Sequence, residues 1–431
     1  TGAVALLLGT EASLFLPSTT AARDRWSFVW QGSSQQQKQQ RQGQGQLRLR
    51  LRVLAHLLWT YSVTAPVAAW LWLTDEILFS GYHLSGSNAV LLEDAVIILS
   101  VPRAGTTSFH RALALDKQRF VTPCMLDLYF PFCCIQTILK LLARNFPQTL
   151  HTVEQFLKRC HNITEEVDAR HPVQLLGADA DDILLGEWHW VSTGSVRTFP
   201  VPEYYLKHYR LCGTEARSLL LHQRFCQKLV HCDGGRRHLL LRSHLSPCSW
   251  QFQQLYPGAQ FVGIARNPRD VWPSFVGLVH AVLRAAAGVD ILQQDNNNSG
   301  SWATALTAIL ADQMQREAAL YQNSSSRGSG GTTAITTGTV VAFDYFQRDL
   351  LECIAALYAK LNFTVSREFR AALEAHCQEH QHYKTVHHYK NPSFEDLGVD
   401  PQLWMGMEGV QQYAKLQEIA LNDNSKKQAP S

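Results

Sequence analysis

Five apolar positions in a row, Ala95 to Leu99, give way to a polar turn and then to TTSFHRALAL from Thr106, where apolar residues return at helical spacing. That order reads as strand, loop, helix. It recurs between Ala259 and Leu278, where Gln260-Phe-Val-Gly-Ile-Ala is a second buried strand and a second helix runs from Asp270. HLLLRS at 238–243 and TVVAF at 339–343 are a third and a fourth strand. Strands separated by helical stretches predict a three-layer α/β domain, with a central parallel sheet and ligand-binding loops at the carboxyl ends of its strands. Two polar stretches, 290–301 with its three consecutive asparagines and the Ser/Gly/Thr-rich 323–338, read as surface loops.

The pattern upstream of the first strand is different. SSQQQKQQRQGQGQ at 33–46 has too little apolar surface to fold alone and reads as a linker, so that residues 1–46 form an N-terminal region outside the core. An apolar segment, 47–80, follows. Between Val53 and Leu73 it carries no formal charge; Arg48, Arg50 and Arg52 precede this run, and Asp75 and Glu76 follow it. Its length suits a bilayer span, with the N-terminus in the cytoplasm and the main domain in a lumen. The other reading is an apolar helix packed on the domain, with His56, Pro66 and several small residues in its favour. The main domain is then 85–405, with 406–431 as a C-terminal tail.

Composition narrows the chemistry. With 46% hydrophobic and 17% charged residues over 431 positions, the chain can bury one large core or two small ones. Thirty-nine basic against 36 acidic side chains leave a net charge of +3, too small for a nucleic-acid footprint, so any bound anion must be held by a local pocket. The ten cysteines show no CxxC pair and no zinc-like spacing, and no metal is expected. Sequons at Asn162, Asn297, Asn323 and Asn362 lean slightly towards a lumen.

The chemistry concentrates in the loop after the first strand, Val101-Pro102-Arg103-Ala104-Gly105-Thr106-Thr107-Ser108. A helix that begins there offers free backbone N–H groups and the positive end of its dipole to an anion. Gly105 allows close approach, the hydroxyls of Thr106, Thr107 and Ser108 add donors, and Arg103 supplies a planar cation. A nucleoside-triphosphate loop would read GxxxxGK followed by Ser or Thr; here Ser100 stands for the first glycine and Thr106 for the lysine. The shape is P-loop-like with its cation moved to Arg103. A second cluster, Arg266-Asn267-Pro268-Arg269-Asp270-Val271-Trp272-Pro273-Ser274, follows the strand at 260–265, and a third, Arg242-Ser243-His244, ends the strand at 238–243. RNPRD is also good N-capping chemistry.

PRAGTTSFHRAL, from Pro102 to Leu113, resembles the 5'-phosphosulfate loop of the sulfotransferase superfamily, PRSGTTxLHxxL or PKSGTT, with Ala104 in place of the usual serine. The resemblance runs from about Ala95 to Trp404. It implies the P-loop-like sulfotransferase fold and a chain that takes 3'-phosphoadenosine-5'-phosphosulfate (PAPS) as sulfuryl donor to an acceptor hydroxyl, with no metal. Arg103, Ala104, Gly105, Thr106, Thr107 and Ser108 would hold the 5' end of the donor. Arg266 and Ser274, eight positions apart as in that family, would hold the 3'-phosphate. LLLRSHLSP resembles the KTHLP segment of cytosolic sulfotransferases, implying His244 as general base and Arg242 on the sulfuryl group. Other sulfotransferases use a glutamate, which makes Glu187 in DADDILLGEWHW the competitor, with His189 beside it; the segment reads rather as shaping the acceptor pocket, and its acidic run as a solvated turn.

HYKTVHHYKNPSFEDLGVD, His382 to Asp400, resembles the ending of one large sulfotransferase branch, which would bring Lys384, His388 and Lys390 to the 3'-phosphate. The five histidines from His380 to His388 lack an acidic or cysteine partner that would complete a metal set. A Golgi membrane protein with a lumenal catalytic domain is expected if 53–73 spans a bilayer, and a cytoplasmic one if it packs. The rival functions are a P-loop nucleotide kinase or NTPase, and a non-catalytic module that kept the anion cradle.

Overall fold

The computed structural model describes residues 13–31, 43–78, 94–160, 162–191, 197–213, 215–292, 296–325, 338–386 and 390–421. Five strands form one sheet: β1 (Val96–Leu99), β2 (Phe120–Val121), β3 (His238–Ser243), β4 (Gln260–Ala265) and β5 (Gly338–Ala342), in the order β2-β3-β1-β4-β5, every pair parallel. β1 is buried along its whole length, as a central strand covered on both faces must be, which is why its sequence is an unbroken apolar run. The architecture is the three-layer α/β arrangement with a central parallel sheet. The two-residue β2 is too short to leave a pattern in the sequence.

Register decides what meets at the carboxyl edge. Leu99 of β1 lies opposite Ser243 of β3, and Ile98 opposite Val262 of β4. The segments after β1, β3 and β4 therefore emerge side by side, at the point where the chain crosses from one side of β1 to the other. Three stretches spread from Arg103 to Arg266 become neighbours.

The region around 53–73 resolves the alternatives posed by its hydropathy. Helix Gly43–Trp59, a π-helical turn Thr60–Thr64 and helix Ala65–Leu78 follow one another directly. Val53, Leu57, Ala65, Ala68, Trp72 and Asp75 are buried. The spacing between Thr60 and Ala65 is one residue wider than a helical repeat, and the π turn absorbs it, so the buried stripe stays on the core. Asp75, expected as a flanking charge, is fully buried: its carboxylate accepts the N–H groups of Cys133 (2.6 Å) and Cys134 (3.0 Å) at the start of helix Cys133–Asn145 and pairs with buried Lys228 at 3.2 Å. Lys228 Nζ also lies 3.2 Å from the centroid of Trp72. Among the described residues no helix is long and apolar enough to cross a membrane. The apolar segment packs one stripe on the domain.

Other boundaries move too. Leu14 and Phe15 join the main core and helix Thr19–Gln31 packs on Gly43–Trp59, so part of the expected N-terminal appendage belongs to the folded body; residues 32–42 of the linker lie outside the described residues. The expected tail from 406 is packed as well: Val410, Tyr413 and Leu416 are fully buried, and Leu421 exchanges backbone hydrogen bonds with Val340 and Ala342 of β5. Residues 296–301 and 323–325, expected as loop, are the ends of helix Asn296–Ser325, whose middle is anchored by buried Trp302, Leu306, Leu310 and Met314 and carries the polar ends along. Asn297 and Asn323 fall inside it. Nine cysteines among the described residues carry free thiols.

Candidate active site

The loop after β1 takes the shape its residues permit. Arg103 and Gly105 both have left-handed backbones, φ 69° and 101°, and Gly105 caps helix Thr106–Leu113. A Cβ at 105 would sit 2.6 Å from the ring of Phe343, so glycine is required both for the φ and for the space. Phe343, expected at the end of a strand, opens the helix Phe343–Arg348 after β5, and the Arg266 guanidinium lies 4.6 Å over its ring. Ala104 turns into the core, fully buried, and its N–H is held by Val101 O at 3.4 Å. It does not line the cavity, so the missing serine hydroxyl would have had no place facing it.

Arg103 ties the clusters together. Its Nε donates to Ser274 Oγ (2.9 Å) and its Nη1 to Arg170 O (2.7 Å), while Arg266 Nη1 donates to Arg103 O (3.0 Å). Asn267 caps helix Pro268–Ala287 by accepting the N–H of Arg269 at 2.9 Å, and that helix delivers buried Ser274 to Arg103. The capping reading of RNPRD is met by Asn267, which leaves the Arg266 guanidinium to the cavity side of the loop.

These elements open on a cavity of about 1800 Å³. Arg103, Gly105, Thr106, Thr107, Ser108, Arg242, His244 and Arg266 line it; Ser274 does not, and acts through Arg103. Arg242 is almost completely buried and bonds to Thr107 Oγ1 and Asp179, while its Nε has no hydrogen-bond partner, nor has the Nε of Arg266. Burial would raise the Asp179 carboxyl, but the Arg242 charge beside it and then His171 hold it well below the usual carboxylate range. His171 Nε2 lies 3.5 Å from Asp179, and both line the cavity.

His244 follows β3, and its Nδ1 lies 2.7 Å from Ser100 O. A carbonyl can only accept, so Nδ1 carries the proton and Nε2 keeps its lone pair. Burial first, and Arg242 second, push the imidazole down to about 3, so it is neutral at pH 7. Glu187 also lines the cavity, but is engaged by Arg197, which in turn donates to Tyr129 Oη at 3.1 Å. His189 is fully buried between Ser218 Oγ (2.7 Å) and Leu14 O (2.5 Å), held down to about 4 chiefly by burial; it ties the N-terminal residues to the core.

The C-terminal segment reaches the site through backbone and packing. Lys390 lines the cavity, and its carbonyl accepts from buried Arg170 at 2.8 Å; Asn391 Oδ1 accepts from the same guanidinium at 2.7 Å. The side chain of Lys384 and all of His388 lie outside the described residues. The Ser-x-Glu-Asp-x-Gly stretch is a cap: Ser393 N–H donates to Asp396 at 2.7 Å, Asp396 N–H to Ser393 Oγ at 3.2 Å, and Gly398 turns at φ 63°. Phe394 stacks on Trp272, with centroids 4.3 Å apart. Among the described residues no group of three or more His, Cys, Asp or Glu side chains is placed to hold a metal ion.

Asp179, His171 and Arg170 had not been singled out from the sequence. The nearest signal is the run of acids in GADADD, which is no solvated turn: Asp179 and Asp181 are fully buried and Asp182 nearly so. Glu317 was also unforeseen. It sits fully buried behind the loop, accepting from Ser100 Oγ (2.9 Å) and Val101 N–H (2.6 Å).

No protein-family profile matches the sequence, and no curated protein matches it. Solved structures do. Sulfotransferase STF9 from Mycobacterium avium superposes with a TM-score of 0.62 over 96% of this chain and 96% of its own, at 11% identity. Sulfotransferase STF1 from Mycobacterium tuberculosis superposes with a TM-score of 0.58 over 91% and 92%, at 14% identity. The chain adopts the sulfotransferase fold. The carboxyl edge of the sheet gathers a helix N-terminus, a glycine too crowded to carry a Cβ, and two arginines with unpartnered buried Nε atoms, a set of donors whose chemistry fits an anion.

Proposed function

We propose that this protein is a PAPS-dependent sulfotransferase that acts on an acceptor hydroxyl. The observation that carries the reading is the convergence of Arg103, Arg242 and Arg266 on one cavity at the N-terminus of helix Thr106–Leu113, with a neutral histidine beside them. When bound, PAPS supplies a sulfuryl group activated by its anhydride link to phosphate. The protein's part is to bind, orient and move one proton. The helix N-terminus with Thr106, Thr107, Ser108 and Arg103 would hold the 5' end of the donor, and Arg266 the 3'-phosphate. Arg242, fixed by Asp179 and Thr107, is a rigid cation for the sulfuryl oxygens. His244 Nε2 would take the acceptor proton. Burial, the larger cause of the lowered imidazole, would persist in the filled site, while negative charge held beside Arg242 would offset the smaller one and favour a proton on Nε2. The absence of a lysine at Thr106 weighs against the kinase reading.

The test is thermal stability with 3'-phosphoadenosine-5'-phosphate against ATP with magnesium, since a ligand of the native state alone stabilises it. Stabilisation by the first is expected, and none sinks the donor assignment. Arg103→Ala should lose binding and turnover, whereas His244→Ala should keep binding and lose turnover by roughly 10²–10⁴-fold. The pairing of His171 with Asp179 in the same cavity supports a second base; retained turnover in His244→Ala with loss in His171→Ala would select it.

A further inference from the structure

The helical run 43–78 buries one stripe on the domain, and its opposite face is apolar. Leu51, Leu58, Trp59, Val67, Trp70 and Ile77 are each at least half exposed, Trp70 at 66% and Ile77 at 70%. Single exposed apolar residues are ordinary, but a continuous apolar outer face along a surface helix is not. The charges on it have one sign. Between Leu47 and Leu78 the exposed charged residues are Arg48 and Arg52; Asp75 is buried, and Glu76 is drawn to Lys228 at 3.5 Å. We propose that this face docks on a membrane surface containing anionic lipid, with the helix lying in the plane of the interface and not crossing it.

Three features favour a lipid surface over another occupant. Tryptophan and tyrosine carry an apolar body and a polar tip, which suits the headgroup boundary, and Trp59, Trp70 and Tyr61 all lie exposed here. Arginines on an apolar helix free of exposed acids complement anionic headgroups. The opposite stripe is anchored by the buried pairing of Lys228 with Asp75, so the face is presented by a rigid body without a folding cost. Arg52 also donates to Ala286 O, and Ala286 lines the cavity, so the docked face lies beside the wall of the candidate active site.

The experiment is co-sedimentation of the full chain with vesicles of phosphatidylcholine containing phosphatidylserine, against phosphatidylcholine alone, with tryptophan emission recorded in both. Binding to the anionic vesicles should be roughly tenfold or more tighter and should weaken with salt. Emission should move to shorter wavelength on binding. The double variant Leu58→Glu with Trp70→Glu should lose vesicle binding while its melting temperature and its stabilisation by 3'-phosphoadenosine-5'-phosphate stay as in the wild type, which separates this proposal from the one on the active site. Equal, weak sedimentation with both vesicle types overturns the proposal without reference to any variant. So does a dimer in analytical ultracentrifugation that the double variant dissociates, because a second copy would then be the occupant.

Discussion

Glu317 offers a test of how the phosphate loop is held. Its carboxyl is fully buried behind the first residues of the loop, and burial raises it from the ordinary 4.5 to about 8, although the bonds from Val101 N–H and Ser100 Oγ pull the other way. One turn further along the same helix, Tyr321 Oη donates to Leu99 O at 2.9 Å, so the two side chains together clamp the end of β1. The sign of the pH effect follows. Below pH 4.5 the carboxyl is protonated in both folded and unfolded chains, and its contribution is fully present. Between about 4.5 and 8 only the unfolded chain ionises, so stability falls as pH rises and is lost through the folded value. The gap between 4.5 and about 8 corresponds to roughly 5 kcal/mol. In Glu317→Gln the amide can still donate to Ser100 Oγ and accept from Val101 N–H, but it cannot ionise. Urea unfolding at pH 5.5 and pH 8 should show the wild type losing roughly 3 kcal/mol more than Glu317→Gln over that interval. Parallel losses in the two proteins would refute the buried, neutral carboxyl.

Three further substitutions probe the frame around the site. Gly105→Ala places a Cβ 2.6 Å from Phe343 at φ 101°, so it should cost about 1–2 kcal/mol for the backbone alone and abolish stabilisation by 3'-phosphoadenosine-5'-phosphate, because Phe343 cannot yield without displacing Arg266; an unchanged thermal shift would contradict this. Ser274→Ala removes the acceptor for Arg103 Nε and should weaken binding of the same ligand roughly tenfold, measured by calorimetry, with little change in melting temperature. Asp75→Ala removes the nearer carboxylate of buried Lys228, leaving it Glu76, and takes the acceptor from the N–H groups of Cys133 and Cys134; it should cost about 2–4 kcal/mol in urea unfolding, whereas a solvent-facing flanking charge would cost almost nothing.

What could be read in the chain divides along physical lines. The strands around Ile97, Leu240 and Val262 are legible because a strand covered on both faces must be apolar throughout, and the anion loop because only glycine and small hydroxyl residues fit a tight turn into a helix. Hydropathy leaves two readings open at 53–73 because it counts apolar residues without asking which side each faces; Asp75 reads as a flanking charge in the sequence, yet Lys228, 153 residues away, lies beside it in the fold. The loop expected at 296–301 is helix instead, since polar ends are carried into a helix whose middle is locked in the core.

By itself the sequence determined the local geometry: strand, turn and helix at Val96 to Leu113, and a second arginine cluster after another strand. These depend on neighbours a few residues apart, and side-chain shape settles them. The tertiary structure alone decided the partnerships: Arg103 with Ser274, Arg242 with Asp179, Phe343 against Gly105, and Glu317 behind Ser100. Each joins residues dozens to hundreds of positions apart, and the first exists because strand register and order bring the segments after β1 and β4 to one edge of the sheet. Register is a property of paired strands, and no single stretch of chain carries it.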